Sequence, residues 1–270
     1  MKQGDTVFVS ATATGLGKDK KAVIDKIENV MGTTFVTVTY THPDAVSGLG
    51  GCFVASHIIE TDSREKRLIR LALVDRWDAV TGKDDIAKVF DETIQTFGDL
   101  DILVNNAGIS DEYAIDETTD EWLNHVLDVN LNAPIRYARE ALKYFMPKND
   151  GVIINITSVN GDRPIGGAAY TSSKGALNTL TKNIAMRLSD TNIRCNAVAP
   201  GATLTPMHFA HLRGENPGGN LMLEFGKKYC NWNLPETNPL DQAYACLYLA
   251  SKMGKAVKGQ VLQVCNGAFL

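Results

Sequence analysis

Cysteine is scarce. The 270 residues hold five, at Cys52, Cys195, Cys230, Cys246 and Cys265. Their odd number and wide spacing exclude a disulfide framework, and no Cys-x-x-Cys pair offers a zinc or redox site. Reduced, largely buried thiols suit a cytoplasmic protein. Basic blocks are also missing. With a net charge of −4 and no run of five basic residues, no nucleic-acid or membrane-surface partner is expected. No apolar run approaches the roughly 20 residues a membrane span needs. Met1–Asp5 leads straight into a short apolar stretch, so no signal peptide is expected. The two histidines of the later chain, His208 and His211, have no matching ligands around them, so no metal site is expected. No repeat, low-complexity tract or linker divides the chain, which predicts one domain over residues 1–270.

What is present alternates. Thr6–Ser10 reads as a buried strand, and Lys18–Val30, with Ala22, Val23, Ile27 and Val30, has helical spacing. Thr34–Thr39 is rich in β-branched residues and reads as a strand. Residues 42–66 fit no regular pattern. Further strands are predicted at Leu68–Val74, Asp101–Val104, Gly151–Thr157, Ile193–Ala199 and Gly259–Val264. Further helices are predicted at Asp84–Phe97, Thr119–Phe145 (ending near Pro147), Ala168–Leu188 and Leu240–Ser251. Strands that are continuous apolar runs, alternating with helices, predict a doubly wound parallel sheet covered on both faces. Ligands then bind at the carboxyl ends of its strands. Residues of about 206–238, glycine-rich and aromatic, are expected to form a loop over the substrate.

Two clusters carry chemistry. Ser10-Ala11-Thr12-Ala13-Thr14-Gly15-Leu16-Gly17 lies between the first predicted strand and helix. There, backbone N–H groups and the helix dipole would hold a dinucleotide pyrophosphate, and glycines allow close approach. Tyr170 and Lys174 are spaced i, i+4 and share one helix face. A phenol with a reference pKa near 10 can exchange protons at neutral pH only if that value falls, and a nearby ammonium favours the phenolate.

Together with Asn105-Asn106-Ala107-Gly108, Asn130, Ser158 and Pro200-Gly201, these residues resemble the short-chain dehydrogenase/reductase family in type, order and spacing. The resemblance is strong from about Asp101 onward and weak before about Leu71. Ser10-Ala11 stands where that family usually has Thr-Gly, so Ala11 adds a methyl group beside the phosphate loop. The resemblance implies a Rossmann-type sheet and an NAD(P)-dependent oxidoreductase that interconverts a secondary alcohol and a ketone. Its catalytic residues fall on Asn130, Ser158, Tyr170 and Lys174. Tyr170 would be the general acid/base, Lys174 would lower its pKa and bond the nicotinamide ribose, Ser158 would hold the substrate oxygen, and Asn130 would fix a water.

Cofactor contacts are expected from Ser10, Gly15, Leu16, Gly17, Asp75, Asn106, Tyr170, Lys174, Thr203 and Thr205. The second predicted strand ends Val38-Thr39-Tyr40-Thr41-His42 without a carboxylate for the adenosine ribose, which favours NADP over NAD. The partner is then a small-molecule carbonyl or alcohol, and the resemblance implies a homotetramer or homodimer. Two alternatives stay open: a non-redox enzyme on the same scaffold, and a nucleotide-binding regulatory protein without turnover.

Overall fold

The computed structural model describes residues 6–9, 20–30, 33–40, 50–54, 83–219 and 221–269. The chain forms two compact units, Met1–Arg76 and Trp77–Leu270. In the first, β1 (Thr6–Val9), β2 (Lys20–Val30), β3 (Thr33–Tyr40) and β4 (Gly50–Val54) form an antiparallel sheet in that order. The helix expected over Lys18–Val30 is therefore corrected to a strand over Lys20–Val30. Val23, Ile24, Ile27 and Val30 are β-branched and prefer extended backbone. Only two residues separate the paired Val30 and Thr33, so β2 runs directly back along β3. The phosphate-loop residues Ser10, Gly15, Leu16 and Gly17, together with Asp75 and the strand expected at Leu68–Val74, lie outside the described residues.

The second unit carries the parallel sheet: β5 (Ile102–Asn105), β6 (Val152–Ile156), β7 (Arg194–Pro200) and β8 (Val261–Val264), adjacent in that order. The register aligns Leu103 with Ile153 and Ile153 with Cys195. Side chains alternate across the sheet, as period two requires. Ile153 and Cys195 pack with Phe90 of α1 (Lys83–Phe97), Tyr137 and Phe145 of α3 (Ala133–Lys148), and Ala185 of α4 (Ala168–Arg187). Val152, Ile154 and Val198 face the other way, against Ala245 and Leu249 of α7 (Pro239–Ala250). Helices thus cover both faces, as a Rossmann-type sheet requires.

Helix ends follow local chemistry. Helix α3 runs one residue past Pro147 and ends at Asn149, whose left-handed φ of 51° lets its N–H reach the Phe145 and Met146 carbonyls. Gly151 then lies on the Phe145 ring, where a β-carbon would overlap it. Helix α7 starts in a capping box between Asn238 and Asp241. Its far end is held by the Arg194 guanidinium, which donates to Ala250 O at 3.1 Å and to Gly254 O at 2.9 Å.

The helix expected over Thr119–Phe145 forms, with a change of repeat in its middle. Helix α2 (Asp120–Leu127) passes through a π turn at Asp128–Asn132 before α3 begins. The stretch of about 206–238 is more ordered than expected, with α5 (Pro206–Leu212) and α6 (Leu221–Gly226) inside it.

Candidate active site

Ser158 and Tyr170 are brought together by two glycines. After β6 the chain makes a 3-10 turn over Val159–Gly161, with Ser158 as its N-cap. That turn lies directly on α4. A β-carbon on Gly161 would meet Asn178 Nδ2 at 2.7 Å and Lys174 O at 2.9 Å, and one on Gly175 would meet Gly161 O at 3.1 Å. Only residues without a side chain allow this approach, and it places the Ser158 hydroxyl in hydrogen-bond reach of the Tyr170 phenol. Ser158 is 5% exposed, and its Oγ also accepts the Asn160 amide at 3.1 Å.

Lys174 lies one turn further along α4 and is 4% exposed. Its Nζ is 5.7 Å from the centre of the Tyr170 ring and donates to Ile156 O at 2.9 Å. Burial pushes its pKa down from 10.5 to about 8. A lysine ammonium has three N–H donors, so one bond to Ile156 leaves capacity for a further acceptor. This buried donor is what a pair of ribose hydroxyls would use, and on that observation the residues fit a nicotinamide nucleotide.

The phenol itself departs from expectation. Burial raises the Tyr170 pKa above its usual value; the Ser158 hydrogen bond offsets part of this, and the charges of Glu112 and Asp111 add to the rise. The Lys174 ammonium lies over the ring, and burial disfavours its charge.

Asn130 occupies the π turn and is fully buried. Its carboxamide brackets Ile109, accepting the Ile109 amide at 2.9 Å and donating to Ile109 O at 2.9 Å; it also donates to Ser173 Oγ at 3.0 Å. Such turns add one residue to an α-helix and recur at functional sites. Here the wider turn holds the run after β5 against α4. Gly108 sits in the gap, where a β-carbon would come within 3.2 Å of Lys174 Nζ and 3.4 Å of Asn130 Oδ1.

Asn106 is exposed. The bracing of the strand ends belongs to its neighbour Asn105, which is buried and donates to Asn155 Oδ1 at 2.8 Å; Asn155 in turn donates to Thr181 Oγ1 at 2.9 Å. Thr203 bonds Gly201 O at 3.0 Å and Thr237 Oγ1 at 2.9 Å. Thr205 caps α5 by accepting the His208 amide at 3.3 Å. Both hydroxyls therefore organise the loop after β7. His211 Nδ1 is 3.2 Å from Glu112 Oε1, and no group of three or more potential metal ligands occurs among the described residues.

Sequence reasoning missed Asp111 and Glu112, buried beside α4, and Ser173, buried within it. None has a spacing that marks it. Their roles come from a fold contact across more than 50 residues for Asp111 and from a partner on another helix for Ser173. Cys195 and Cys246 have pKa values pushed up to about 12 by burial, which leaves their thiols unreactive.

Residues 73–268 match a family model described as enoyl-(acyl carrier protein) reductase. The chain is 38% identical over 191 residues to a 3beta-hydroxysteroid dehydrogenase 2 of Eggerthella lenta, covering 70% of this chain and 72% of that protein. It is 34% identical over 272 residues to the short chain dehydrogenase/reductase dpchG of Colletotrichum higginsianum, covering 98% and 93%. A solved 4-hydroxyisoleucine dehydrogenase complexed with NADH superposes with a TM-score of 0.58 at 29% identity, covering 70% of this chain and 77% of that one. The chain belongs to the short-chain dehydrogenase/reductase family. It is accordingly an NAD(P)-dependent oxidoreductase acting on alcohols and ketones.

Proposed function

We propose that Tyr170 is the proton donor and acceptor of this reaction, working on a secondary alcohol or its ketone. The observation that carries the reading is the convergence of Ser158, Tyr170 and Lys174 at the carboxyl end of β6, with Ser158 and Lys174 buried and the Lys174 ammonium over the Tyr170 ring. The nicotinamide supplies or takes the hydride when bound. In reduction, Tyr170 gives its proton to the carbonyl oxygen as charge develops there; in oxidation, the phenolate takes the alcohol proton. Ser158 orients that oxygen by hydrogen bonding. Lys174 holds the ribose and, once its remaining donors are engaged, supports the phenolate. Asn130 steadies the wall beside Lys174 through Ile109 and Ser173.

Cofactor contacts from Ser10, Gly15, Leu16, Gly17, Asp75, Asn106, Thr203 and Thr205 belong to the same reading, as does one functional domain over residues 1–270. NADP is favoured over NAD because Val38-Thr39-Tyr40-Thr41-His42, which the family resemblance sets near the adenosine ribose, holds no acidic residue. Nicotinamide absorbance at 340 nm, followed with each cofactor against a panel of ketones and secondary alcohols, tests this. Oxidation of NADPH faster than NADH at equal concentration is expected; cofactor binding without turnover on any member of the panel would favour a regulatory protein.

Assembly as a homotetramer or homodimer is supported by large apolar side chains exposed on the two long helices: Ile135 and Met146 on α3 and Met186 on α4. Light scattering after size exclusion should give a mass of two or four chains, and a monomer would refute it. No helix among the described residues is long and apolar enough to cross a membrane. Free thiols at Cys195, Cys230, Cys246 and Cys265 support a cytoplasmic location.

A further inference from the structure

Helix α4, which carries Tyr170 and Lys174, starts without a cap of its own. Gly167 stands at its N-cap position and has no side chain to accept an amide. A strap from the segment after β5 supplies the missing acceptors. Gly167 N–H donates to Asp111 O at 2.9 Å and Ala168 N–H to Tyr113 O at 2.9 Å. The Tyr170 amide donates to Asp111 Oδ2 at 3.1 Å. Gly167 is what admits the carboxylate, because a β-carbon there would overlap Asp111 Oδ1. The Asp111 side chain is fully buried. Its Oδ1 and the indole N–H of Trp122, also buried, close no hydrogen bond of regular geometry.

We infer that Asp111 is the positioning residue for Tyr170: docked on the N-terminus of α4 through the tyrosine's own amide, its carboxylate fixes the first turn and places a negative charge beside the phenol. The inference rests on Tyr170 being the proton donor. The strap differs from an ordinary cap because the residue it receives is the reactive one. Small displacements there change the distance between the phenol and the oxygen held by Ser158.

The charge has a second consequence. Among the described residues, Lys174 on α4 and Asp111 and Glu112 on the strap are the charged groups around the phenol, and Glu112 is itself paired with His211 of α5. Both carboxylates disfavour the phenolate and raise the Tyr170 pKa. Burial raises the pKa of Asp111 itself, and Trp122 and the Tyr170 and Tyr113 amides pull it back. Neutralising Asp111 must therefore move the Tyr170 titration to lower pH, and with it the ascending, acid-side limb of the oxidation profile.

Two variants separate position from charge. Asp111→Ala removes the cap; kcat should fall about 10²-fold at its own optimal pH, the scale expected for a reacting group displaced by about 1 Å, with cofactor affinity little changed. Asp111→Asn is made together with Trp122→Phe, so that the new amide nitrogen meets no opposing donor. Its oxygen still accepts the Tyr170 amide, and it is compared with Trp122→Phe alone. Tyrosinate absorbance, taken as the difference from the same protein carrying Tyr170→Phe, should titrate at lower pH in the double variant. Undiminished kcat in Asp111→Ala, or a Tyr170 titration that does not move, overturns the inference. If Asp111→Ala does not fold, the double variant decides alone. The absorbance readout needs no turnover, so a moved titration in a protein inactive on every substrate would sustain the strap and refute the catalytic reading instead.

Discussion

Tyr170→Phe should remove almost all turnover while the cofactor still binds. The change deletes one oxygen and keeps the ring that lies under Lys174 Nζ. Ser158 keeps its hydrogen bond from the Asn160 amide, and Lys174 keeps its bond to Ile156 O, so the surrounding geometry has no reason to collapse. What is lost, on the proposed role, is the acid that protonates the developing alkoxide. General acid–base catalysis contributes about 10²–10⁴-fold, and the variant should lose rate on that scale. Single-turnover oxidation of bound NADPH, with binding followed separately by fluorescence, checks both parts. Turnover within about threefold of the parent would mean that another group or solvent delivers the proton, because so small a loss is under about 1 kcal/mol of barrier.

Lys174→Met should give opposite results for activity and stability. The lysine's pKa falls from 10.5 to about 8 because burial opposes its charge. At neutral pH it is charged in both folded and unfolded chains, so the folded state bears the full penalty, on the order of 3 kcal/mol. Above pH 10.5 both states are neutral and the penalty vanishes. The stability associated with this depressed value is therefore present above 10.5 and lost as pH falls through about 8. Methionine fills the same space without charge, but it leaves Ile156 O without its partner, at a cost of about 1 kcal/mol. The cofactor-free variant should gain about 2 kcal/mol at pH 7, and this gain should shrink as pH is raised. Thermal unfolding at several pH values measures it. Turnover should fall by about 10²-fold or more, since both roles proposed for Lys174, the ribose contact and the support of the phenolate, are gone. A variant no more stable than the parent at pH 7 would show that the ammonium is better solvated than its 4% exposure implies.

The second half of the fold was legible because its strands are short apolar runs with clear ends. Gly151–Thr157 became Val152–Ile156, and Ala168–Leu188 became Ala168–Arg187. The four residues carried over as catalytic include three that the fold gathers at one strand end, Ser158, Tyr170 and Lys174, and one, Asn130, that contacts them through Ser173. Legibility failed where two patterns coincide. Apolar residues at 22, 23, 27 and 30 satisfy helical spacing, yet the β-branching of Val23, Ile27 and Val30 and a partner strand two residues away favour extended chain. It failed again where position depends on contacts distant in sequence. Nothing local marks Asp111 as the acceptor for an amide 59 residues later. Spacing likewise placed an ammonium near the phenol but could not reveal the burial and the two carboxylates that raise the Tyr170 pKa.

The wide turn at Asp128–Asn132 also changes how α2 and α3 are related. An α-helix advances about 100° per residue, so one additional residue in a turn rotates everything after it by about that angle relative to an uninterrupted helix. The inward face of α3, with Tyr137, Ala138, Ala141 and Phe145, is thereby phased independently of Val126 in α2. One stretch of chain can then satisfy two masters: an oily sheet face downstream and a polar carboxamide clasp midway, each with its own rotational setting.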